Sequence, residues 1–137
     1  GSEAQNDFYT DTNADILSSD EFVDEVIRLA AEERAAAGLD ALEKNDTLCT
    51  NADKRAREVA KKFSHTRPDG TKCFTAITIS FTSAAENIAK GQTSPAEVMD
   101  SWMNSDGHRK NILSPDYCQI GVGYDEASGS WVQIFTD

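Results

Sequence analysis

The stretch SWMNSDGHRKNILSP, residues 101–115, carries one of the two histidines of the chain directly behind a helical pattern. That pattern is apolar on one face and is expected to end near Asn104. A glycine follows at position 107, and glycine behind a helical pattern is a common stop signal. We therefore expect the chain to break at Asp106-Gly107, and the break to point His108 out of any regular helix.

Three helices are predicted from capping signals and apolar spacing. A capping box of Ser18 and Glu21 starts the first helix. The second is predicted over residues 46–63, and the third starts at Ser94, which is followed directly by a proline. The second helix also has a charged face that we interpret as solvated, formed by Lys54, Arg57, Glu58, Lys61 and Lys62.

The strands are predicted to lie mainly in the second half of the chain. Residues 73–89 are rich in β-branched and aromatic side chains, so we expect at least one short strand there. Residues 119–137, QIGVGYDEASGSWVQIFTD, alternate in hydrophobicity on both sides of a turn, which predicts an antiparallel hairpin. Helices come first and strands last, which favours an α+β fold with helices packed on a small antiparallel sheet.

Charge and length exclude several classes of partner. The chain has 137 residues and a net charge of −11, so we expect it to bind neither nucleic acid nor an anionic membrane surface. No apolar run reaches the roughly 20 residues that span a bilayer. Gly1-Ser2 is interpreted as a cloning scar, residues 1–18 as a flexible tether, and residues 19–137 as one domain.

Three side chains stand out as candidates for chemistry: His65, Glu86 and His108. Glu86 lies in the apolar stretch AENIA, where a buried carboxylate would need a partner. If Glu86 meets a histidine, we expect its charge to raise the pKa of that imidazole. Two imidazoles and a carboxylate can form a three-ligand zinc site with an open position, or an acid/base pair for hydrolysis. Taken one at a time, the histidines are equally compatible with ordinary surface residues.

Five motifs occur in the order FSHTRPDG, AENIA, SWMNSDGHRKNIL, IGVGY and WVQIF. Together they resemble the bacterial branch of the CAP superfamily, also called the SCP domain, which includes cysteine-rich secretory proteins, venom antigen 5 and plant pathogenesis-related proteins. The resemblance covers residues 19–137. It implies an α-β-α sandwich around a three-stranded antiparallel sheet, and a location outside the cell or on its surface.

The resemblance also implies a central cleft lined by two histidines and two acids. Carried over by motif, His65, Glu86 and His108 are three of these residues and the candidates for holding a divalent metal such as zinc. Asp106 is the candidate for the fourth, with Asp100 next. Asn87 and Asn111 are expected to fix the local backbone, or to be ordinary turn residues.

The leading hypothesis is a secreted, monomeric binding module whose cleft takes a divalent metal or another ligand, which could be a small molecule, a lipid or a protein. The alternatives are an extracellular, peptidase-like hydrolase that uses the same histidine and glutamate side chains, and a non-catalytic interaction domain. Trp102, Trp131 and Phe63 are assigned to the core.

The chain has three cysteines: Cys49, Cys73 and Cys118. From the residues alone, unpaired buried thiols and a single disulfide are both open. An extracellular location favours one disulfide. Cys49–Cys73 is the preferred pair because it closes the shortest loop, and Cys118 is then left as a free thiol.

Overall fold

The computed structural model describes residues 18–137, so the predicted tether lies outside the described part except for its last residue, Ser18. The helices there are α1 (Ser19–Ala36), α2 (Asp46–Lys61), α3 (Pro95–Met103) and α4 (Asp106–Ile112). The strands are β1 (Glu43–Lys44), β2 (Ala84–Lys90), β3 (Gln119–Asp125) and β4 (Ser130–Thr136). A 3-10 turn covers Cys73–Ala76.

The predicted helix starts are confirmed by their capping contacts. The Ser18 hydroxyl accepts a hydrogen bond from the Glu21 amide, and the Glu21 carboxylate accepts one from the Ser18 amide. The Ser94 side chain caps α3, and proline occupies its first turn. Each cap satisfies a backbone N–H that has no partner within its helix.

The break before His108 lies two residues earlier than predicted. Asn104 ends α3, Ser105 takes an extended conformation, and Asp106 and Gly107 are already the first residues of α4. The physical reason is that an aspartate in a first turn favours helix formation there, since its charge complements the helix dipole. His108 therefore lies in the first turn of a helix and not on an irregular loop.

The sheet has four strands in the order β1-β3-β4-β2 and is mixed. β3 and β4 pair antiparallel, as the hairpin pattern predicted. β2 also pairs antiparallel with β4, whereas β1 pairs parallel with β3. The prediction of three antiparallel strands therefore needs correction. A two-residue strand such as β1 is too short to show any alternation in the sequence.

The sheet separates two hydrophobic cores, which confirms the α+β class. On one face, α1, α3 and α4 surround a core that includes Val26, Trp102 and Phe135. On the other face, α2 packs against β3 and β4 over a core that includes Leu48 and Val132. Among residues 18–137, no helix is long and apolar enough to cross a bilayer.

Two of the three aromatic core predictions are confirmed. Trp102 and Trp131 are fully buried, and their indole N–H groups donate to main-chain carbonyls. The prediction for Phe63 is wrong, since Phe63 is 58% exposed. It lies beyond the end of α2, so the apolar face of that helix does not carry it into the core.

The predicted disulfide is also wrong. Cys49, Cys73 and Cys118 are all free. Cys49 lies on α2 beside the ends of α1 and β3, whereas Cys73 lies on the 3-10 turn next to β2, so the two thiols line different cavities. A disulfide requires the two Cα atoms to be within about 7 Å, and loop length alone does not report that distance.

Two glycines of β3 let α2 pack directly on the sheet backbone. A Cβ atom at Gly121 would lie 2.2 Å from the Leu48 carbonyl carbon, and one at Gly123 would lie 2.3 Å from the Ala52 carbonyl carbon. Because these neighbours are main-chain atoms, neither can rotate away. The glycines therefore set the distance between α2 and the sheet.

Gly123→Ala is expected to lower the free energy of unfolding by about 2–3 kcal/mol, because the added methyl group must push α2 away from β3. Urea denaturation measures this loss. Gly107→Ala is the matched control, since nothing lies within 4 Å of a Cβ there. Equal stability of Gly123→Ala and the wild type would contradict direct packing of α2 on β3.

Candidate functional site

Glu86 of β2 is the centre of a buried group of charges. Its side chain is 2% exposed and faces α2, from which Arg55 reaches it with a side chain that is fully buried. Arg55 Nε donates to Glu86 Oε2 at 2.7 Å, and Arg55 Nη2 donates to Glu86 Oε1 at 3.1 Å. This two-pronged geometry is the strong form of an arginine–carboxylate pair.

His65 is held against the same carboxylate. Its Nδ1 lies 2.9 Å from Glu86 Oε1, and Arg55 Nη2 also donates to the carbonyl of the preceding residue, Ser64, at 2.8 Å. An ionised carboxylate only accepts hydrogen bonds, so Nδ1 must carry the proton. The lone pair of Nε2 is therefore left available on a side chain that is 57% exposed.

A second carboxylate connects this group to the loop that carries His65. Arg55 Nη1 donates to Glu58 Oε1 at 2.8 Å, and Arg67 Nη2 donates to Glu58 Oε2 at 2.8 Å. The hydrogen bonds from Arg67, more than those from Arg55, hold the pKa of Glu58 below its usual value. The interpretation of Glu58 as part of a solvated face is therefore wrong.

Cys73 completes the buried side of the site and was not predicted there. Ligand atoms of Cys73, His65 and Glu86 all lie within 4.8 Å of one another. Burial, followed by the charge and hydrogen bond of Glu86, raises the pKa of the Cys73 thiol to about 12. The sulfur is therefore a neutral thiol at ordinary pH, and it is not an activated nucleophile.

The Asn87 side chain lies on the face of the sheet opposite to that of Glu86, because successive residues of a strand point to opposite faces. Its amide nitrogen donates to the carbonyl of His108 at 3.2 Å and to Gln133 Oε1 at 3.0 Å. Its amide oxygen accepts from Asn111 Nδ2 at 2.9 Å. These bonds tie α4 to β2. The expectation that the amide fixes the backbone is confirmed for Asn87, which bonds to the main chain of His108, whereas the Asn111 amide bonds to the Asn87 side chain.

The imidazole of His108 is fixed from within its own helix turn. Its Nδ1 lies 2.8 Å from the Ser105 hydroxyl oxygen. Burial, and then the charge of His65, lower the pKa of His108. Glu86 contacts His65 and not His108, so the lowered pKa of His108 does not test the expectation for a histidine that meets Glu86.

Of the predicted site residues, the structure brings His65 and Glu86 into direct contact. His108 is near enough for its pKa to respond to His65, but it is not part of the group formed with Cys73. Its sharing of a metal ion with His65 stays a prediction. Asp106 is 83% exposed and pairs with Arg109 at 2.6 Å, so its role as a fourth cleft acid also stays a prediction.

A cavity of about 510 Å³ lies beside these residues at the outer edge of β2. Its lining includes His65, Cys73 and Glu86, and also Asn111 and Tyr117. The cavity therefore reaches both the group around Glu86 and the helix that carries His108.

The site residues that the sequence did not reveal are Arg55, Arg67 and Cys73. For Arg55 a signal was present, because it falls on the same helical stripe as the buried Ala52 and Val59. A charged residue on an apolar stripe implies a buried partner. For Arg67 and Cys73, which lie in an irregular loop and a 3-10 turn, no periodic signal exists.

The chain matches the model of the cysteine-rich secretory protein family over residues 27–136. The Bacillus subtilis protein YkwD is 43% identical over 115 residues, which are 80% of this chain and 45% of YkwD. The membrane protein YlbC of the same species is 43% identical over 47 residues, 34% of this chain and 14% of YlbC. The chain thus spans less than half the length of the curated relatives that it matches.

Solved structures agree with this assignment. An extracellular protein with an SCP domain from Bacillus anthracis superposes with a TM-score of 0.76 and 26% identity, covering 88% of this chain and 44% of that one. An outer surface protein of Borrelia burgdorferi gives a TM-score of 0.79 and 25% identity, covering 88% and 96%. Together with the match over residues 27–136, these likenesses show that the chain belongs to the cysteine-rich secretory protein family, the CAP or SCP-domain family.

Proposed function

We propose that this chain is an extracellular binding module whose cleft takes a divalent metal ion, such as zinc, through Nε2 of His65 and Nε2 of His108. The observation that carries the proposal is that both imidazoles have Nδ1 engaged, His65 with Glu86 and His108 with Ser105. Histidine ligands of metals usually have their other ring nitrogen fixed in this way by a carboxylate, a carbonyl or a similar group.

In this proposal Glu86 is a positioning residue and not a ligand. Both of its oxygens are hydrogen-bonded to Arg55, and one also bonds to His65. A metal ion at Glu86 would lie close to the guanidinium of Arg55 and would be repelled by it. The bound ion would serve as an attachment point for an anionic or carbonyl-bearing ligand in the cavity, since two imidazoles leave open positions on zinc.

The three residues His65, Cys73 and Glu86 form a rival metal site. Zinc would need the Cys73 thiolate, and a thiol with a pKa of about 12 resists losing its proton. The imidazole pair is therefore the better-supported site.

The proposed extracellular location rests on the relatives. The Bacillus anthracis structure is described as extracellular and the Borrelia burgdorferi structure as an outer surface protein. The three free cysteines remove the disulfide as a supporting argument. From the net charge of −11 we also propose that the chain does not bind nucleic acid.

Zinc is expected to raise the melting temperature of the wild type at pH 7.5 by several degrees, because ligand at a hundredfold excess over Kd stabilises by about 2.7 kcal/mol. The increase should disappear near pH 5, where protons occupy the imidazole nitrogens. Since the pKa of His108 is lowered, competition by protons at this ligand should begin below the ordinary imidazole pKa of about 6.5. Thermal unfolding with and without zinc at both pH values measures this.

Three variants separate the possible sites in the same assay. His108→Ala should abolish the zinc effect, and Cys73→Ser should keep it. Asp53→Asn, which changes an exposed acid on α2, is the control and should also keep it. An undiminished shift in His108→Ala would contradict the imidazole pair, and its loss in Cys73→Ser would favour the rival site.

A hydrolase is the second candidate, and the contact between His65 and Glu86 is the observation in its favour. A carboxylate that holds Nδ1–H leaves Nε2 as a general base able to activate water. Cleavage of fluorescein-labelled casein by the wild type, lost in His65→Ala and kept in Asp53→Asn, would support this alternative. No cleavage by the wild type would count against a hydrolase. If the wild type neither binds zinc nor cleaves casein, the remaining alternative is a non-catalytic interaction domain.

A further inference from the structure

The main-chain hydrogen bonds between β2 and β4 show which residues of β2 have N–H and C=O groups that point away from β4. At one end of the β2–β4 ladder the Gly91 amide donates to the Gly129 carbonyl, and at the other end the Asp137 amide donates to the Ser83 carbonyl. In an antiparallel pair, alternate residues bond to the partner strand. The main-chain groups of the odd-numbered residues of β2 therefore bond to β4. The main-chain N–H and C=O groups of Ala84, Glu86 and Ile88 point away from β4, toward the open edge of the sheet.

In two of these three residues, the outward-pointing main-chain carbonyl accepts a hydrogen bond from a side chain. The Tyr117 hydroxyl donates to the Ala84 carbonyl at 3.4 Å, and the Trp102 indole donates to the Ile88 carbonyl at 3.1 Å. Between them, no group of residues 18–137 bonds to the main-chain N–H or C=O of Glu86. Among the described strands, β2 is the outermost on this side of the sheet, so this is a short stretch of sheet edge that residues 18–137 leave unpaired.

The unpaired stretch opens onto the cavity. Ala84, Ala85 and Glu86 are consecutive residues of β2 and all line it. The Glu86 side chain is 2% exposed whereas the whole residue is 6% exposed, so the surface that Glu86 presents is chiefly main chain. A row of strand atoms along one wall fits an extended peptide better than a compact ligand.

The charge of the cavity is opposite to that of the protein as a whole. Lys72 lines the cavity, and among residues 18–137 no carboxylate lies within 4.0 Å of its ammonium group. The charge of Glu86 is balanced by Arg55, and that of Glu58 by Arg67. The remaining charge in the lining is thus the positive charge of Lys72, within a chain of net charge −11.

We propose that the edge of β2 beside this cavity binds an extended peptide with a free carboxylate, which pairs its main chain with Glu86 and its carboxylate with Lys72. One residue of the peptide exchanges N–H and C=O bonds with Glu86, as a neighbouring strand would. Tyr117 and Trp102 limit the paired stretch to the four-residue rise from Ala84 to Ile88, about 13 Å. The peptide needs no metal, so its binding can be measured separately from that of zinc, although both sites adjoin the same cavity.

The experiment is an NMR titration of the 15N-labelled wild type in EDTA with the acetylated pentapeptide Thr-Val-Thr-Val-Asp, which favours an extended conformation. We expect the Glu86 amide to shift and its hydrogen exchange to slow at millimolar peptide. N-methylation of the central peptide amides should abolish both effects, and Lys72→Gln should weaken binding about fivefold. Lys54→Gln, on the exposed face of α2, is the charge-matched control and should bind as the wild type does.

Several outcomes would overturn the proposal. These are an unchanged Glu86 amide at millimolar peptide, equal binding of the N-methylated peptide, or equal losses in Lys72→Gln and Lys54→Gln. Because EDTA is present, none of them bears on the zinc proposal. Conversely, loss of the zinc effect in His108→Ala leaves the peptide result unaffected.

Discussion

The buried ion pair between Arg55 and Glu86 is the interaction on which the rest of the site depends. Removing two charges from water is costly, and the cost is recovered only when the geometry is good and the remaining polar atoms are satisfied. Both conditions are met, because Arg55 also bonds to Glu58 and to the carbonyl of Ser64. One guanidinium thus joins β2, α2 and the chain leading to His65, so the position of that imidazole follows from the ion pair.

The edge strand β2 organises the two sides of the cleft with two consecutive residues. Glu86 points toward α2 and fixes the imidazole of His65, while Asn87 points to the other face and bonds to the main chain of His108. A shift of one residue in the register of β2 would exchange these two directions and disrupt both contacts. The pairing of β2 with β4 over seven residues therefore holds the two histidines in relation to each other.

The sequence predicted the parts of this molecule that have a periodic or capping signal. Local patterns predicted the helix starts at Ser18 and Ser94 and the antiparallel hairpin. They also indicated that Glu86, a carboxylate in an apolar stretch, would need a partner. Features that depend on long-range contacts were missed or misplaced. These include the parallel strand β1, the ion pairs of Glu58 with Arg55 and Arg67, and the free state of Cys49 and Cys73, since none of them leaves a trace in the spacing of neighbouring residues.

The central claim is that Glu86 holds His65 with its proton on Nδ1, so that Nε2 is the nitrogen available to a ligand. The most direct measurement is the 15N chemical shift of both ring nitrogens of His65 in the metal-free protein at pH 8, where an ordinary imidazole is neutral. The account predicts a protonated Nδ1 and an unprotonated Nε2. A neutral ring that carries its proton mainly on Nε2 would contradict it.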